Sequence, residues 1–161
     1  MLVNSSDKNK IAENVGSGEG EIAAASADAT GFKELLGFEV IDSSKDYAVI
    51  GLELKEGHLN RNGYVHGGVI MSLLDSACGH AGVYCDVPGN VRRCITISMN
   101  TTFIKPARDG TLRTEARVIG RGRKIFFVEA TVFDGSTLVA TATGTFRYVA
   151  GGEDERGVPI A

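Results

Sequence analysis

Between Gly57 and Tyr84 the chain reads GHLNRNGYVHGGVIMSLLDSACGHAGVY. From Gly67 to about Tyr84 this is one long helix-like run, Val69-Ile70-Met71-Ser72-Leu73-Leu74 and onward, carrying a lone carboxylate, Asp75. Most other patterned stretches alternate with a period of two, the signature of strands with two different faces. One apolar helix and a set of half-buried strands have few ways to bury each other. The pattern predicts an α+β domain in which a strongly curved antiparallel sheet of about six strands wraps the helix. The helix should then be apolar on nearly all sides, apart from Ser72, Asp75, Ser76 and His80.

The flanking segments supply the rest of the layout. FKELLGF reads as a short helix stopped by Gly37. FEVIDSSKDYAVIGLELKE holds two alternating runs around SSKD, a hairpin signal. RCITISMNTTFIKP places Ile95, Ile97, Met99 and Phe103 on one face. TLRTEARVIG sets Leu112, Ala116 and Val118 against Arg113, Glu115 and Arg117. KIFFVEATVFDG and TLVATATGTFRYV are rich in β-branched and aromatic residues and meet at DGS, a second hairpin turn.

A chain of 161 residues argues for one domain. Residues 1–30 are rich in Ser, Gly, Ala, Asn and Glu and read as a flexible tail, and 150–161 as a second one, leaving 31–149 as the domain. A net charge of −3 gives no footprint for nucleic acid and no polybasic membrane anchor. No run approaches a membrane span, and the N-terminal stretch has no apolar core of a secretory signal. Cys78, Cys85 and Cys94 are odd in number and lack metal-like spacing, which suits free thiols in a reducing cytoplasm. His58 and His80 have no metal-like spacing either, so no metal is expected.

At about 100° per residue, the residues sharing a face with Asp75 are Gly68, Met71, Ser72, Cys78, Gly79 and Gly82. That face is mostly small. Glycine inside a helix costs about 1 kcal/mol relative to alanine, so a close approach by another helix, another subunit or a ligand is expected there. A partly desolvated carboxylate on such a face is more basic than one in water, which makes Asp75 a candidate base or nucleophile. A hydrogen-bonded structural Asp is the plainer alternative. Gly67 and Gly68 open the helix, where unpartnered N–H groups and the helix dipole favour negative charge. An N–H there suits a developing oxyanion, although a glycine pair also simply makes a tight turn. His66 lies nine residues from Asp75, about 180° around the helix, so the two cannot form an acid–base pair within one helix. His66 equally suits a role fixing the loop through its backbone.

Asn60-x-x-Gly63-x-x-His66-Gly67-Gly68 followed by Leu74-Asp75 resembles the hotdog-fold acyl-CoA thioesterases of the PaaI-like group. LLGFEV, ISMNTTFIKPA and GRGRKIFFVEATVFD resemble the segments that flank this motif in that family, so the likeness spans about Phe32 to Tyr148. The resemblance implies homodimers or homotetramers whose sheets join edge to edge, with each active site at a subunit interface. It implies that Asp75 of one subunit is nucleophile or general base, and that the Gly67 N–H of the other polarises the thioester carbonyl. Asn60 would orient water or thioester. Thr96 would hold the attacking water at a position where family members often have Ser. His66 and Gly68 would line the substrate, and Arg121, Arg123 and Lys124 would meet coenzyme A phosphates unless they form only a solvated basic turn. Coenzyme A is then part of the substrate and no cofactor is needed. Two alternatives remain: a hotdog dehydratase or hydratase using His66, and a non-catalytic acyl-CoA binding module.

Overall fold

The computed structural model describes residues 31–160; the expected N-terminal tail over 1–30 lies outside the described residues. Helix α1 (Phe32–Leu36) stops at Gly37, whose φ of 81° is left-handed and suits glycine. Strands β1 (Glu39–Ser44) and β2 (Tyr47–Glu53) form the expected hairpin through Lys45 and Asp46. A 3-10 turn at Glu56–His58 leads to the loop before α2 (Gly67–Gly82). Then come β3 (Asn90–Val91), β4 (Cys94–Phe103), β5 (Thr111–Arg121), β6 (Ile125–Asp134), β7 (Thr137–Tyr148) and β8 (Val158–Pro159). Six strands form one antiparallel sheet in the order β1-β2-β5-β6-β7-β4, with β3 and β8 as a separate pair. The chain therefore has the hotdog fold, an α+β domain in which α2 touches all six strands. No helix among the described residues is long and apolar enough to cross a membrane.

The sheet lets the helix come close through a row of small side chains. Ala48, Ala116, Ala130 and Ala142 are register partners across β2, β5, β6 and β7. They share one core with Ile70, Leu73, Leu74 and Ala77 of α2. The buried residues of α2 are Ile70, Leu73, Leu74, Ala77, Cys78, Ala81 and Gly82, a stripe at helical spacing. The opposite side is not covered: Gly68 and Met71 are exposed, and Ser72, Asp75, Ser76 and Gly79 are partly so. The helix is thus apolar on one side and open on the other, where the sequence pattern predicted apolar contact nearly all round.

Gly82 has a different reason from the one expected. It faces the chain's own sheet: a Cβ there would lie 1.9 Å from a ring carbon of Phe126. That ring cannot retreat, since it stacks on Phe146 at 5.3 Å and meets Tyr148 at 4.8 Å. The Tyr148 hydroxyl also donates to the Gly82 carbonyl, at 3.2 Å. Gly82→Ala therefore destabilises the domain by about 1–3 kcal/mol through overpacking, despite alanine's better helix propensity. A urea-unfolding midpoint at or above wild type would contradict this.

Two further departures concern β4 and the end of the chain. A bulge between Thr96 and Ser98 shifts the pairing of β4 with β7. Ile95 and Ile97 are therefore exposed, at 54% and 55%, while Met99 packs against the core, so these residues do not share the face that strict alternation predicts. Residues 150–160 do not trail away as a tail. Val91 and Asn90 pair with Val158 and Pro159, and the Arg92 guanidinium, buried over the Tyr148 ring, donates to the Gly152 carbonyl at 2.8 Å and the Tyr84 carbonyl at 3.2 Å.

Candidate active site

The bulge that breaks the alternation of β4 sits at the carboxylate. Thr96, the residue just before it, is on the helix side, and its hydroxyl donates to Asp75 Oδ1 at 2.7 Å. Among the described residues nothing donates to Asp75 Oδ2. The pair opens into a cleft of about 380 Å³, lined also by Ser76, Gly79, His80, Val83, Arg93 and Phe146. A hydroxyl that donates to a carboxylate keeps its lone pairs for a water proton. Thr96 and Asp75 together can therefore fix one water and accept its proton.

The neighbouring groups do not compete for that chemistry. Burial pushes the Cys78 thiol up to about 12, with the Asp75 charge adding to it. Cys94, on the cleft wall, is pushed up to about 11 by burial and then by Asp75, against an opposing pull from Arg92. Both thiols stay protonated near neutrality and are poor nucleophiles. All three cysteines are free, as expected. His80 is held below the ordinary histidine value, first by burial and then by the charge of Lys33. His58 is a clamp: its Nδ1 accepts from the Lys55 N–H at 3.0 Å and its Nε2 reaches the Leu36 carbonyl at 3.0 Å.

At the other end of α2 a second group of expected residues is gathered. His66 is the N-cap, its Nδ1 accepting from the Gly68 N–H at 2.9 Å. This is the backbone-fixing role, and it consumes the Gly68 donor. The Gly67 N–H has no acceptor among the described residues. The Phe103 ring packs where a Gly67 side chain would stand, at 3.4 Å. Asn60 shapes the loop: its Oδ1 accepts from Asn62 N–H at 2.8 Å and Tyr64 N–H at 3.3 Å. Its amide NH2 makes no hydrogen bond among the described residues.

These two groups are not one site within a chain. Gly67 and Asp75 are eight residues apart, about 12 Å of helix rise, too far to act on one carbonyl. Each chain gathers the candidate residues into two groups, one with Asp75 and Thr96, the other with Asn60, His66 and Gly67. Of the basic turn, Arg121 is ion-paired with Asp46 and lies 3.8 Å from Glu155, while Arg123 and Lys124 are exposed. Arg93 of the cleft escaped the sequence pattern, since a lone arginine before a strand carries no spacing signal.

Comparison with known proteins agrees with the fold. The family model described as the thioesterase superfamily matches residues 62–141. "Putative esterase SSO1253" of Saccharolobus solfataricus is 31% identical over 112 residues, covering 69% of this chain and 73% of the relative. Among solved structures, the conserved protein PA5202 of Pseudomonas aeruginosa superposes with a TM-score of 0.68 at 31% identity, over 74% of this chain and 94% of that one. The phenylacetic acid degradation protein PaaI of Thermus thermophilus, solved as a point mutant, gives a TM-score of 0.63 at 26% identity, over 72% of this chain and 96% of that one.

Proposed function

The chain belongs to the thioesterase superfamily, and from that premise we propose that it hydrolyses acyl-coenzyme A thioesters to a carboxylic acid and coenzyme A. The observation that carries this is the 2.7 Å hydrogen bond from Thr96 to Asp75 at the mouth of an open cleft. Water held by Thr96 gives its proton to Asp75 Oδ2 and adds to the thioester carbonyl. The carbonyl oxygen becomes an oxyanion and is met by the Gly67 N–H of a second copy of the chain, at the positive end of its helix. Collapse of the tetrahedral intermediate breaks the C–S bond, and the proton on Asp75 passes to the departing thiolate. Direct attack by Asp75, giving an anhydride that water then opens, uses the same carboxylate. The Thr96 bond favours the water route, because it sets a hydroxyl with free lone pairs next to the carboxylate, where a water can be held.

The 12 Å between the half-sites supports a homodimer or homotetramer, with Asp75 and Thr96 from one chain and Asn60, His66 and Gly67 from the other. β4 is an edge strand and offers the pairing surface. Arg123 and Lys124, exposed in the turn between β5 and β6, would meet coenzyme A phosphates, and Arg121 would first have to leave Asp46. Three free thiols suit work in the cytoplasm. The hydratase alternative asks His66 to move protons, yet its Nδ1 serves as the helix cap. Thiol release from short, long and aromatic acyl-CoAs tests the proposal. Turnover of at least one class is expected, and no release from any would sink it.

A further inference from the structure

The face of the sheet turned away from α2 is part polar and part apolar. One residue along from each alanine of the core row, the strands turn a second row outward. It reads Tyr47, Arg117, Glu129, Thr143 and Asn100, register partners in that order across β2, β5, β6, β7 and β4. Beside this row the same face carries Phe127 at 41% exposed, Ile119 of the β5 bulge at 56%, and Ile95 at 54%. Gly120 stands opposite Phe127 and has no side chain to cover the ring. An antiparallel sheet that meets water on its outer side carries polar residues there. Three large apolar side chains in that position mark a contact surface.

The charges and shapes of this face are also unmatched within the chain. Glu115 is held by Arg113 and by the Tyr47 hydroxyl. Arg117 and Glu129 stand opposite each other in register and are not ion-paired. The Arg117 guanidinium lies instead over the Tyr47 ring, 4.9 Å from its centroid. Neither Arg117 nor Glu129 has any other ion pair among the described residues. On one side of the β5–β6 boundary the row is bulky, with Arg117 and Tyr47. On the other it falls to Thr143, in a trough of about 410 Å³ that Asn100, Thr131 and Thr141 help to line.

We propose that this face docks a second copy of the chain, about a two-fold axis that runs along the strands between β5 and β6. Such an axis lays β6 of one copy over β5 of the other, and β7 over β2, with the strands aligned as in packed sheets. Each row then faces the same row of the second copy. Glu129 meets Arg117 of the second copy, and Arg117 meets its Glu129. Thr143, in the trough, receives the bulk of the second copy's Tyr47. Phe127 covers Ile119 of the second copy, over the space that Gly120 leaves. The axis repeats every contact, so one register matches charge, size and apolar surface at once. The contact uses neither the β4 edge nor the cleft beside Asp75, so it stands apart from the thioesterase reading.

Sedimentation equilibrium of the full chain tests this in wild type, Glu129→Arg, Arg117→Glu and an equimolar mixture of the two variants. Each variant alone is expected to lose one step of association: four copies to two where β4 edges also pair, or two to one where they do not. The axis sets two like-charge contacts in each variant, so the dissociation constant of that step should rise by about 100-fold or more. The mixture should recover the step as a 1:1 assembly, because an all-acidic face then meets an all-basic one. That recovery cannot come from within one chain, where the two positions carry like charges in either variant. Both side chains are exposed, so each variant should keep the wild-type thermal melt. Ile119→Lys, at the apolar contact, should weaken the same step without touching the charged pair. A monomeric wild type would overturn the inference. So would wild-type mass in the three variants, or single variants that weaken and show no recovery on mixing.

Discussion

Asp75→Asn is expected to lower kcat on the best acyl-CoA substrate by about 100-fold or more, the scale of a lost general base. The substitution keeps the shape of the side chain and leaves an amide oxygen to accept from the Thr96 hydroxyl. It removes the basic oxygen. Because Asp75 is only partly buried and its one partner can be kept, the unfolding midpoint should move little, and KM should change far less than kcat. Steady-state thiol release with both proteins, alongside a thermal melt, gives all three quantities. Equal activity in the two proteins would place the chemistry elsewhere, with His66 the next residue to substitute. Direct attack by Asp75 predicts a loss of the same order, so this result tests the residue rather than the route.

Phe126→Ala should cost about 3–5 kcal/mol of folding free energy, among the largest single losses available in this domain. The ring is fully buried. It lies nearly parallel to Phe146, with 13° between planes, and tilts by 34° against Tyr148. It also fills the space that Gly82 leaves free. Truncation therefore empties the junction of α2 with β6 and β7, and stacked rings do not collapse easily into the gap. The unfolding midpoint should fall by on the order of 10 °C. A loss below about 1 kcal/mol would mean the site repacks and that the aromatic stack is not what seats the helix. Phe146 also lines the cleft beside Asp75, so on the proposed function a loosened stack should weaken acyl selectivity before the fold is lost.

The elements with clean periodicity were legible in the sequence. Gly37 as a stop, the two hairpins, and the long helix follow from spacing and turn chemistry, and the structure has them at nearly the expected bounds. The bulge at Ile97 was not legible, because one inserted residue leaves an alternating apolar pattern intact on paper while it turns the strand in space. The return of residues 150–160 onto β3 was hidden for another reason. That segment is held by main-chain bonds, a buried arginine and surface ion pairs, none of which needs an apolar pattern. The proximity of Thr96 to Asp75 came from family resemblance, since no local spacing links a helix to a strand 21 residues later. The glycine face was half understood. Gly79 does border the open cleft, whereas Gly82 serves the chain's own core.

The buried Arg92 has a consequence for the order in which the domain can be made. Its partner at Gly152 lies 60 residues further along the chain. Until that stretch leaves the ribosome, the guanidinium has only the Tyr84 carbonyl to donate to, and sealing it under Tyr148 would leave its Nε–H without an acceptor in the interior. β4 waits as well, since its neighbour in the sheet is β7, the last strand of the sheet to be synthesised. The Thr96–Asp75 hydrogen bond therefore forms late, when most of the domain is already outside the exit tunnel.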